Sequence, residues 1–174
     1  MSEWFDKVDL NDLVIGRVSR HYAHLHGVNH RAVHLFIQDQ ESKWVIQKRS
    51  SIKDLEPNLW TTSCSGHVDS CENYTHAAIR ECKEELGIVL AKQNLVEILR
   101  CSPCEETGME FIRVYFVNVK FDSFFTNKHE VEKLEVYELS SLRRKCMQQE
   151  EIFSKSFLHI FKLAYSKLCA LQEG

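Results

Sequence analysis

The fold of this chain is decided by one stretch of its sequence, which reads Gly66-x5-Glu72-x7-Arg80-Glu81-Cys82-Lys83-Glu84-Glu85-Leu86-Gly87-Ile88. On a helix, Glu81, Glu84 and Glu85 stand at positions i, i+3 and i+4 and therefore share one face. Like charges at this spacing repel and destabilise a helix, so their grouping indicates that a cation neutralises them. Hard oxygen ligands of this kind suit Mg²⁺ or Mn²⁺.

The same stretch contains signals for the two ends of a helix. Asn73 is a favourable N-cap residue, and Gly87 stands where a glycine commonly follows the last turn. Apolar residues recur between them at helical spacing and predict a buried face, which consists of Ala78, Ile79, Cys82 and Leu86. We therefore expect the helix to bury one side and to present its carboxylates from the other.

The complete spacing resembles the Nudix box, G-x5-E-x7-R-E-U-x-E-E-x-G-U, where U is a bulky aliphatic residue. Every fixed identity is present. The one departure is Cys82 at the first U position, and a free cysteine behaves as a small hydrophobe. The resemblance implies an α/β fold, namely a Nudix-type α/β/α sandwich with a mixed β-sheet. It also implies a hydrolase that uses Mg²⁺ or Mn²⁺ to cleave a phosphoanhydride bond in a nucleoside or other organic diphosphate.

Each box residue receives a role from this resemblance. The implied metal ligands are Glu81, Glu84, Glu85 and the backbone carbonyl of Ser65. An ion pair between Glu72 and Arg80 would fix the loop against the helix, and Gly66 and Gly87 would serve the structure of the box. The implied catalytic residues are Glu84, Glu85, Arg80 and Glu130, and the identity of the base stays open among the glutamates.

Three further segments resemble isopentenyl-diphosphate isomerase and its Nudix relatives over roughly residues 6–138. They are His30-Arg31-Ala32-Val33-His34, Gln47-Lys48-Arg49 with Lys53, and Pro57-x-x-Trp60-Thr61-Thr62-Ser63-Cys64-Ser65-Gly66-His67. In the isomerase, histidines and carboxylates hold a second metal. The matching residues here are His30 and His67, with His24 or His26 as the third histidine and Glu110 as a carboxylate. A structural or substrate-contacting role for these histidines stays open, since histidine serves many roles.

This chain departs from the isomerase pattern at two points. The isomerase uses a pair of carboxylates on a later strand, where this chain has Glu110 alone. Its protonating cysteine stands two residues before the loop histidine, where this chain has Ser65. Cys64 is one position away, and on a strand a shift of one residue points a side chain to the other face. Because the box itself is complete, we favour a hydrolase. An isomerase-like enzyme and a non-catalytic nucleotide-binding module remain the alternatives.

Several other side chains have two interpretations. Glu130 could be a base or a metal ligand, or it could be a solvated loop acid. Lys48, Arg49 and Lys53 could bind a diphosphate, or they could simply be solvated. Trp60 is expected in the core rather than as a stacking platform for a base.

Composition limits the function classes. The chain has 174 residues and a formal net charge of −3 without a basic stripe, so polynucleotide binding is not suggested. No apolar run reaches the length of a transmembrane helix, and the first residues lack the apolar core of a signal peptide. We therefore expect a cytoplasmic protein with a small-molecule diphosphate substrate and no membrane partner. Homodimer formation stays open.

The cysteines agree with this compartment. The chain has seven of them at irregular spacing, and we interpret an odd number without an export signal as reduced thiols. Cys101-Ser102-Pro103-Cys104 is interpreted as a turn with two ordinary thiols, because a zinc site needs more ligands than this pair supplies.

We expect a single domain over residues 1–174. It comprises an N-terminal strand and loop region (1–29), the box (66–88) and an amphipathic C-terminal helix (about 150–171) that docks on the domain's own sheet. The polar segment 17–26 is expected to be a helical turn or a loop. Strands are predicted at 14–16, 32–37, 44–49, 95–99, 111–119 and 134–137, with the second and third of these paired as a hairpin.

Overall fold

The computed structural model describes residues 3–121 and 123–172, so the ends of the predicted domain 1–174 and Asp122 lie outside the described residues. Its elements are β1 (Trp4–Val8), β2 (Val14–Ser19), α1 (Arg20–His26), β3 (His30–Asp39), β4 (Trp44–Arg49), β5 (Trp60–Thr61), β6 (Cys64–His67), α2 (Tyr74–Leu86), β7 (Leu95–Cys101), β8 (Glu110–Phe121), β9 (Val131–Tyr137), α3 (Leu139–Gln148) and α4 (Lys155–Gln172). Each predicted strand falls within an observed strand. Among the described helices, none has the length and hydropathy needed to cross a lipid bilayer.

The main sheet is mixed. Its central path runs β5–β4–β3–β8–β7, with β6 added to β3 and β9 added to β4. The β3–β8 pair is parallel, whereas the other pairs are antiparallel. Strands β1 and β2 form a separate antiparallel hairpin. The predicted hairpin of β3 and β4 is present, with Ile37 opposite Val45.

The strand β3 directs its two faces to two different cores. Val33, Leu35 and Ile37 pack with the buried face of α2, while Ala32 and Phe36 pack with α3 and α4. This division follows from the two-residue period of a strand. Helices on both faces of one mixed sheet give the predicted α/β/α sandwich, and the C-terminal helix docks on the sheet as predicted.

Two partners diverge from the same edge of β3, and this divergence positions the site. Residues 32–35 pair with β6, and the next two paired residues, Ile37 and Gln38, pair with β4. Strand β6 then leads through His67 into the loop before α2. The box therefore begins at the point where the partner of β3 changes from β6 to β4.

The signals for the ends of the box helix are correct. The side-chain oxygen of Asn73 accepts a hydrogen bond from the backbone N–H of His76 at 2.9 Å. At the other end Gly87 has a φ of 69°, and its N–H donates to the carbonyl of Lys83 at 3.1 Å. The helix is thus bounded by local hydrogen bonds that the sequence specifies directly.

The C-terminal region differs from its prediction. Helix α4 begins at Lys155 rather than near residue 150, because a 3₁₀ turn occupies residues 150–152 and Ser154 caps the helix. The Ser154 hydroxyl accepts a hydrogen bond from the N–H of Phe157 at 3.2 Å. Helix α3 was not predicted, because only three of its residues, Leu139, Leu142 and Cys146, are buried.

The N-terminal region is also more regular than predicted. The strand predicted at 14–16 continues to Ser19, whose hydroxyl accepts from the N–H of Tyr22 and starts α1. The polar segment 17–26 is therefore the end of β2 followed by a helix. A single serine cap converts an extended segment into a helix at this point.

We expect Gly87→Ala to lower the free energy of unfolding by about 1–2 kcal/mol, since the left-handed conformation disfavours a Cβ. The added Cβ would also lie 2.9 Å from Cβ of Phe125. Gly16→Ala is the matched control, because no atom lies within 4 Å of its added Cβ. Urea denaturation measures both variants, and equal changes in the two would contradict the assigned role of Gly87.

Candidate active site

A cavity of about 620 Å³ collects side chains from distant parts of the sequence. From Ser65 and the box that follows it, the predicted site residues Ser65, Gly66, His67, Arg80, Glu81, Glu84 and Glu85 line the cavity. From elsewhere the predicted site residues Arg49, Lys53, Glu110 and Glu130 contribute to its lining. The predicted residues outside the lining are His24, His30, Lys48, Glu72 and Gly87.

Arg80 joins the loop before α2 to the carboxylates on that helix. Its guanidinium donates to both carboxylate oxygens of Glu72, at 3.1 and 2.8 Å, which is the predicted ion pair. The same group donates to Glu81 at 2.7 Å and to Glu84 at 3.2 Å. It also donates to the backbone carbonyl of His67 at 2.9 Å. One cation thus orients three carboxylates and the end of β6.

The three box glutamates differ in exposure. The expectation that α2 presents all three from the side opposite its buried face is therefore wrong for Glu85. The Glu84 side chain is 55% exposed, whereas Glu85 is buried. Glu85 accepts hydrogen bonds from the N–H of Ser65 at 3.1 Å and from the amide of Gln47 at 3.0 Å. These donors allow a carboxylate to occupy a position next to the apolar face of α2.

The crowding of these glutamates perturbs their protonation. Burial, together with the neighbouring Glu85 and Glu84, raises the pKa of Glu81 to about 8, although Arg80 opposes the shift. Burial also raises the pKa of Glu85. A half-buried and a buried carboxylate that both have raised pKa values need a further positive charge to be ionised together. The site therefore has the electrostatic properties of a cation site.

Gly66 allows the Glu81 carboxyl group to reach this position. A Cβ on residue 66 would lie 2.0 Å from the carboxyl carbon of Glu81, so only glycine accommodates the observed side chain. The closely spaced carboxylate oxygens, with Ser65 beside them, form a hard donor set. Such a set fits Mg²⁺ or Mn²⁺ rather than a soft metal ion.

A second group of ligand-type side chains lies beside the box. His24, His30, His67 and Glu110 each offer one ligand atom, and these atoms all lie within 4.8 Å of one another. We call this group the histidine cluster. The alternative third histidine, His26, is exposed, and its ring instead lies tilted against Tyr22 with ring centroids 4.1 Å apart.

The tautomer of His30 shows why the histidine cluster suits a cation. Its Nδ1 lies 2.8 Å from the carbonyl oxygen of Val28, which can only accept, so Nδ1 is the protonated nitrogen. Its Nε2 then presents a lone pair 3.4 Å from a carboxylate oxygen of Glu110. Within the described residues, the buried Nε2 atoms of His30 and His24 have no hydrogen-bond partner. Two acceptors that face each other in this way fit a metal ion or a shared proton.

The titration of the histidine cluster also favours ligand binding. Burial, with the nearby His67 and His30, lowers the pKa of His24 to about 4, so its ring is neutral at neutral pH. Burial alone would raise the pKa of the Glu110 carboxyl, but the neighbouring imidazoles of His30 and His67 lower it below its usual range. Neutral imidazoles and an ionised carboxylate are the forms that bind a divalent cation.

Phe5 forms one wall of the histidine cluster, and no motif or spacing indicates this role. Its ring stacks on His30 with centroids 5.0 Å apart and on His67 with centroids 4.5 Å apart. The side chain is fully buried. Because β1 supplies this ring, the N-terminal hairpin orients two of the imidazoles.

The cations around the cavity are held by specific partners. Arg49 donates from two nitrogens to the carbonyl of Leu55, at 3.1 and 2.9 Å. Lys53 is ion-paired with Glu130. Arg20, whose role no motif indicates, also lines the cavity and donates to Asp54 at 2.8 Å.

The backbone determines whether the side chains of Glu130 and Lys48 reach the cavity. Glu130 reaches the cavity because its loop is fixed to α2, with the N–H of Asn127 bonded to the carbonyl of Glu85 at 3.0 Å. Lys48 follows Gln47 on β4 and falls on the face that Ile46 directs towards α3 and α4. The cavity thus receives Arg49 but not Lys48.

The placement of Cys64 and Ser65 follows the alternation of β6. Cys64 is fully buried in the core beside α2, and burial raises the pKa of its thiol well above the usual value. Ser65 lines the cavity in its place. Trp60 is buried in the other core, as expected.

Comparison with known proteins identifies similar chains. The family model described as NUDIX domain matches residues 28–157. An uncharacterised Nudix hydrolase of Clostridium acetobutylicum is 32% identical over 151 residues, covering 82% of this chain and 73% of the relative. An isopentenyl-diphosphate Delta-isomerase of Serratia proteamaculans is 38% identical over 87 residues, covering 50% of this chain and 49% of the relative.

The structural comparison extends over nearly the whole chain. The crystal structure of DR0079 from Deinococcus radiodurans matches with a TM-score of 0.79 and 26% identity, covering 94% of this chain and 99% of that chain. In sequence, the chain spans about half the length of several curated relatives that it matches.

We expect His34 to make the free energy of unfolding depend on pH. His34 is buried on β3 and bonded to the Thr62 hydroxyl at 2.9 Å, and burial lowers its pKa to about 4 from an ordinary value of 6.5. Below the ordinary pKa the unfolded chain binds a proton that the folded chain excludes. Stability should therefore fall between about pH 6.5 and pH 4, by up to roughly 3 kcal/mol.

Urea denaturation across this pH range tests the assignment. His34→Gln keeps an amide donor for Thr62 and does not titrate, so its stability should fall less than that of the wild type. His21→Gln, at an exposed histidine of α1, is the control and should follow the wild-type profile. Identical pH profiles for the wild type and His34→Gln would contradict the prediction.

Proposed function

The chain belongs to the Nudix family, and from that premise we propose that it is a Mg²⁺- or Mn²⁺-dependent hydrolase. Its substrate is a nucleoside or other organic diphosphate, in which it cleaves the phosphoanhydride bond. One observation carries the proposal, namely the convergence of Glu81, Glu84 and Glu85 on one cavity under the guanidinium of Arg80. Clustered carboxylates of this kind would be costly to keep without a cation to bind.

The metal ligands in this proposal are Glu81, Glu84, Glu85 and the carbonyl of Ser65. A divalent cation held there supplies positive charge that stabilises the phosphate oxygens as the bond breaks. Arg80 keeps the carboxylates oriented, and Glu72 and Gly66 maintain Arg80 and Glu81 in position. The protein thereby contributes positioning and electrostatic stabilisation rather than covalent chemistry.

The proton of the attacking water needs an acceptor on the cavity wall. Glu84 is largely exposed and Glu130 lies at the cavity, so both carboxylates are accessible to water. Glu85 is buried and already accepts two hydrogen bonds. We therefore assign proton transfer to Glu84 or Glu130 rather than to Glu85.

Three cations that line the same cavity are suited to phosphate recognition. Arg20, Arg49 and Lys53 line the cavity and can bind phosphate oxygens. Arg20 and Lys53 are paired with Asp54 and Glu130, so an incoming diphosphate would exchange one anionic partner for another. The cavity volume of about 620 Å³ falls within the range of small-molecule sites.

An isomerase-like activity is the second candidate, because the histidine cluster provides a specific observation in its favour. That reaction needs one group to protonate an alkene and another to remove a proton. Ser65 stands where the donor would be needed, and its hydroxyl is a far weaker acid than a thiol. Cys64 is buried away from the cavity, so the hydrolase remains the better proposal.

A turnover screen with Mg²⁺ and with Mn²⁺ tests the proposed reaction. The panel consists of nucleoside triphosphates, dinucleoside polyphosphates, nucleotide sugars, dinucleotide coenzymes and isopentenyl diphosphate. We expect metal-dependent cleavage of one class, read as phosphate or nucleotide release. Isomer formation from isopentenyl diphosphate would support the second candidate. Tight nucleotide binding without turnover would instead indicate a binding module.

Conversion of box carboxylates to amides tests the proposed ligands. We expect Glu84→Gln and Glu85→Gln each to lower kcat by about 10²-fold or more, because each removes a charge that holds the cation. Glu85→Gln should not lower the free energy of unfolding without metal, since it relieves repulsion between buried carboxylates. Glu150→Gln, at an exposed glutamate before α4, is the control. Full activity in both box variants would refute the assignment.

A further inference from the structure

A third group of ligand-type side chains lies outside the cavity, where the turn between β7 and β8 meets α4. Cys104 and Glu106 come from the turn and His159 comes from the helix. Each offers an atom, and these atoms all lie within 4.8 Å of one another. We propose that these three residues form a zinc-binding site, separate from the box and the histidine cluster.

The chemistry of the three ligands selects the metal. Thiolate and imidazole are soft or borderline ligands that favour Zn²⁺, and a carboxylate is a common further zinc ligand. This set differs from the hard oxygen ligands of the box. Three protein ligands leave a fourth tetrahedral position for water or an anion.

The distance between the two principal ligands agrees with one bound ion. The sulfur of Cys104 lies 3.9 Å from Nε2 of His159. Typical zinc–sulfur and zinc–nitrogen bonds at a tetrahedral angle separate these atoms by about 3.6 Å. A shift of a few tenths of an ångström therefore converts the observed contact into a ligand pair.

The turn that carries Cys104 is held in place by its own hydrogen bonds. The Cys104 carbonyl accepts from the N–H of Met109 at 2.9 Å, and its N–H donates to the Thr107 hydroxyl at 3.2 Å. The N–H of Gly108 donates to the carbonyl of Glu105 at 3.1 Å, and Gly108 has a φ of 64°. A turn fixed in this way loses little conformational entropy when it binds a metal ion.

The helix fixes His159 in a similar manner. Phe157 and Ile160, on either side of it, are fully buried against the sheet. Glu106 is exposed on the turn, so its carboxylate can move to meet an ion held between Cys104 and His159.

The site changes the interpretation of the Cys101-x-x-Cys104 spacing. Cys101 is buried at the end of β7, and it is not one of the side chains whose ligand atoms group with Cys104 among the described residues. Cys101 is therefore not part of the proposed site. The metal partner of Cys104 is instead a histidine 55 residues further along the chain.

Zinc at this site would fasten the turn before β8 to the first part of α4. The turn leads within a few residues to Glu110, and the Thr107 hydroxyl donates to the Glu110 carbonyl at 3.5 Å. Helix α4 follows Ser154, which lines the cavity. The ion would therefore stabilise two segments that border the cavity without contacting the box.

Cobalt substitution tests the proposal with a signal that the other two groups cannot produce. Thiolate ligation of Co²⁺ gives a near-ultraviolet charge-transfer band, and neither the box ligands nor the histidine cluster contains cysteine. The reduced full-length chain would be titrated with Co²⁺ and then with Zn²⁺. We expect a saturable band that Zn²⁺ displaces.

Two variants and two controls complete the experiment. Cys104→Ser should abolish the band, and His159→Ala should weaken Co²⁺ binding at this site by roughly tenfold or more. Cys71→Ser and His21→Ala, at an exposed cysteine and an exposed histidine, should leave the band unchanged. Circular dichroism verifies folding, and His159→Ala remains informative if Cys104→Ser does not fold. A wild type without the band, or a band that persists in folded Cys104→Ser, would overturn the proposal.

Discussion

The guanidinium of Arg80 is the interaction on which the candidate active site depends. It binds the loop acid Glu72, the backbone carbonyl of His67 and the helix carboxylates of Glu81 and Glu84 at the same time. These hydrogen bonds fix the end of β6 relative to the carboxylates of α2. A half-buried cation with several partners stabilises this geometry because removal of one side would leave buried charges uncompensated.

The charge balance around Arg80 also explains why the site is prepared for a further cation. The single guanidinium of Arg80 pairs with more than one carboxylate. Glu85 is buried, and the groups that donate hydrogen bonds to it, the Gln47 amide and the Ser65 N–H, are neutral. Burial raises the pKa values of Glu81 and Glu85, and the neighbouring carboxylates raise them further. The fold therefore retains an arrangement that is unfavourable by itself, as functional sites commonly do.

Much of the fold was predictable from residues that interact with near neighbours in the sequence. Features that depend on contacts between distant segments were not predictable. Asn73 and Gly87 marked the ends of the box helix because their hydrogen bonds are made within a few residues. Phe5, by contrast, meets the histidine cluster through the tertiary packing of β1, and no spacing in the sequence records that contact. Helix α3 was missed because its apolar face is too short to show a clear period.

The residues of the site were easier to predict than the face of the strand or helix on which each side chain lies. Lys48 and Arg49 looked equivalent in the sequence, yet the alternation of β4 sends only Arg49 to the cavity. Glu85 shared the carboxylate face of an ideal helix, but the hydrogen bonds from Ser65 and Gln47 allowed it to be buried. Such outcomes depend on strand placement and on donors that come from other segments.

Part of the histidine cluster and its aromatic wall come from the N-terminal segment of the chain. Phe5 and His24 precede residue 28, where the match to the family domain begins. The box and the wall formed by these two residues therefore reside on different segments of the chain. An exchange of the first 27 residues between relatives would replace Phe5 and His24 beside the other histidines and leave the box unchanged, so this side of the histidine cluster can be altered without remodelling the carboxylates of α2.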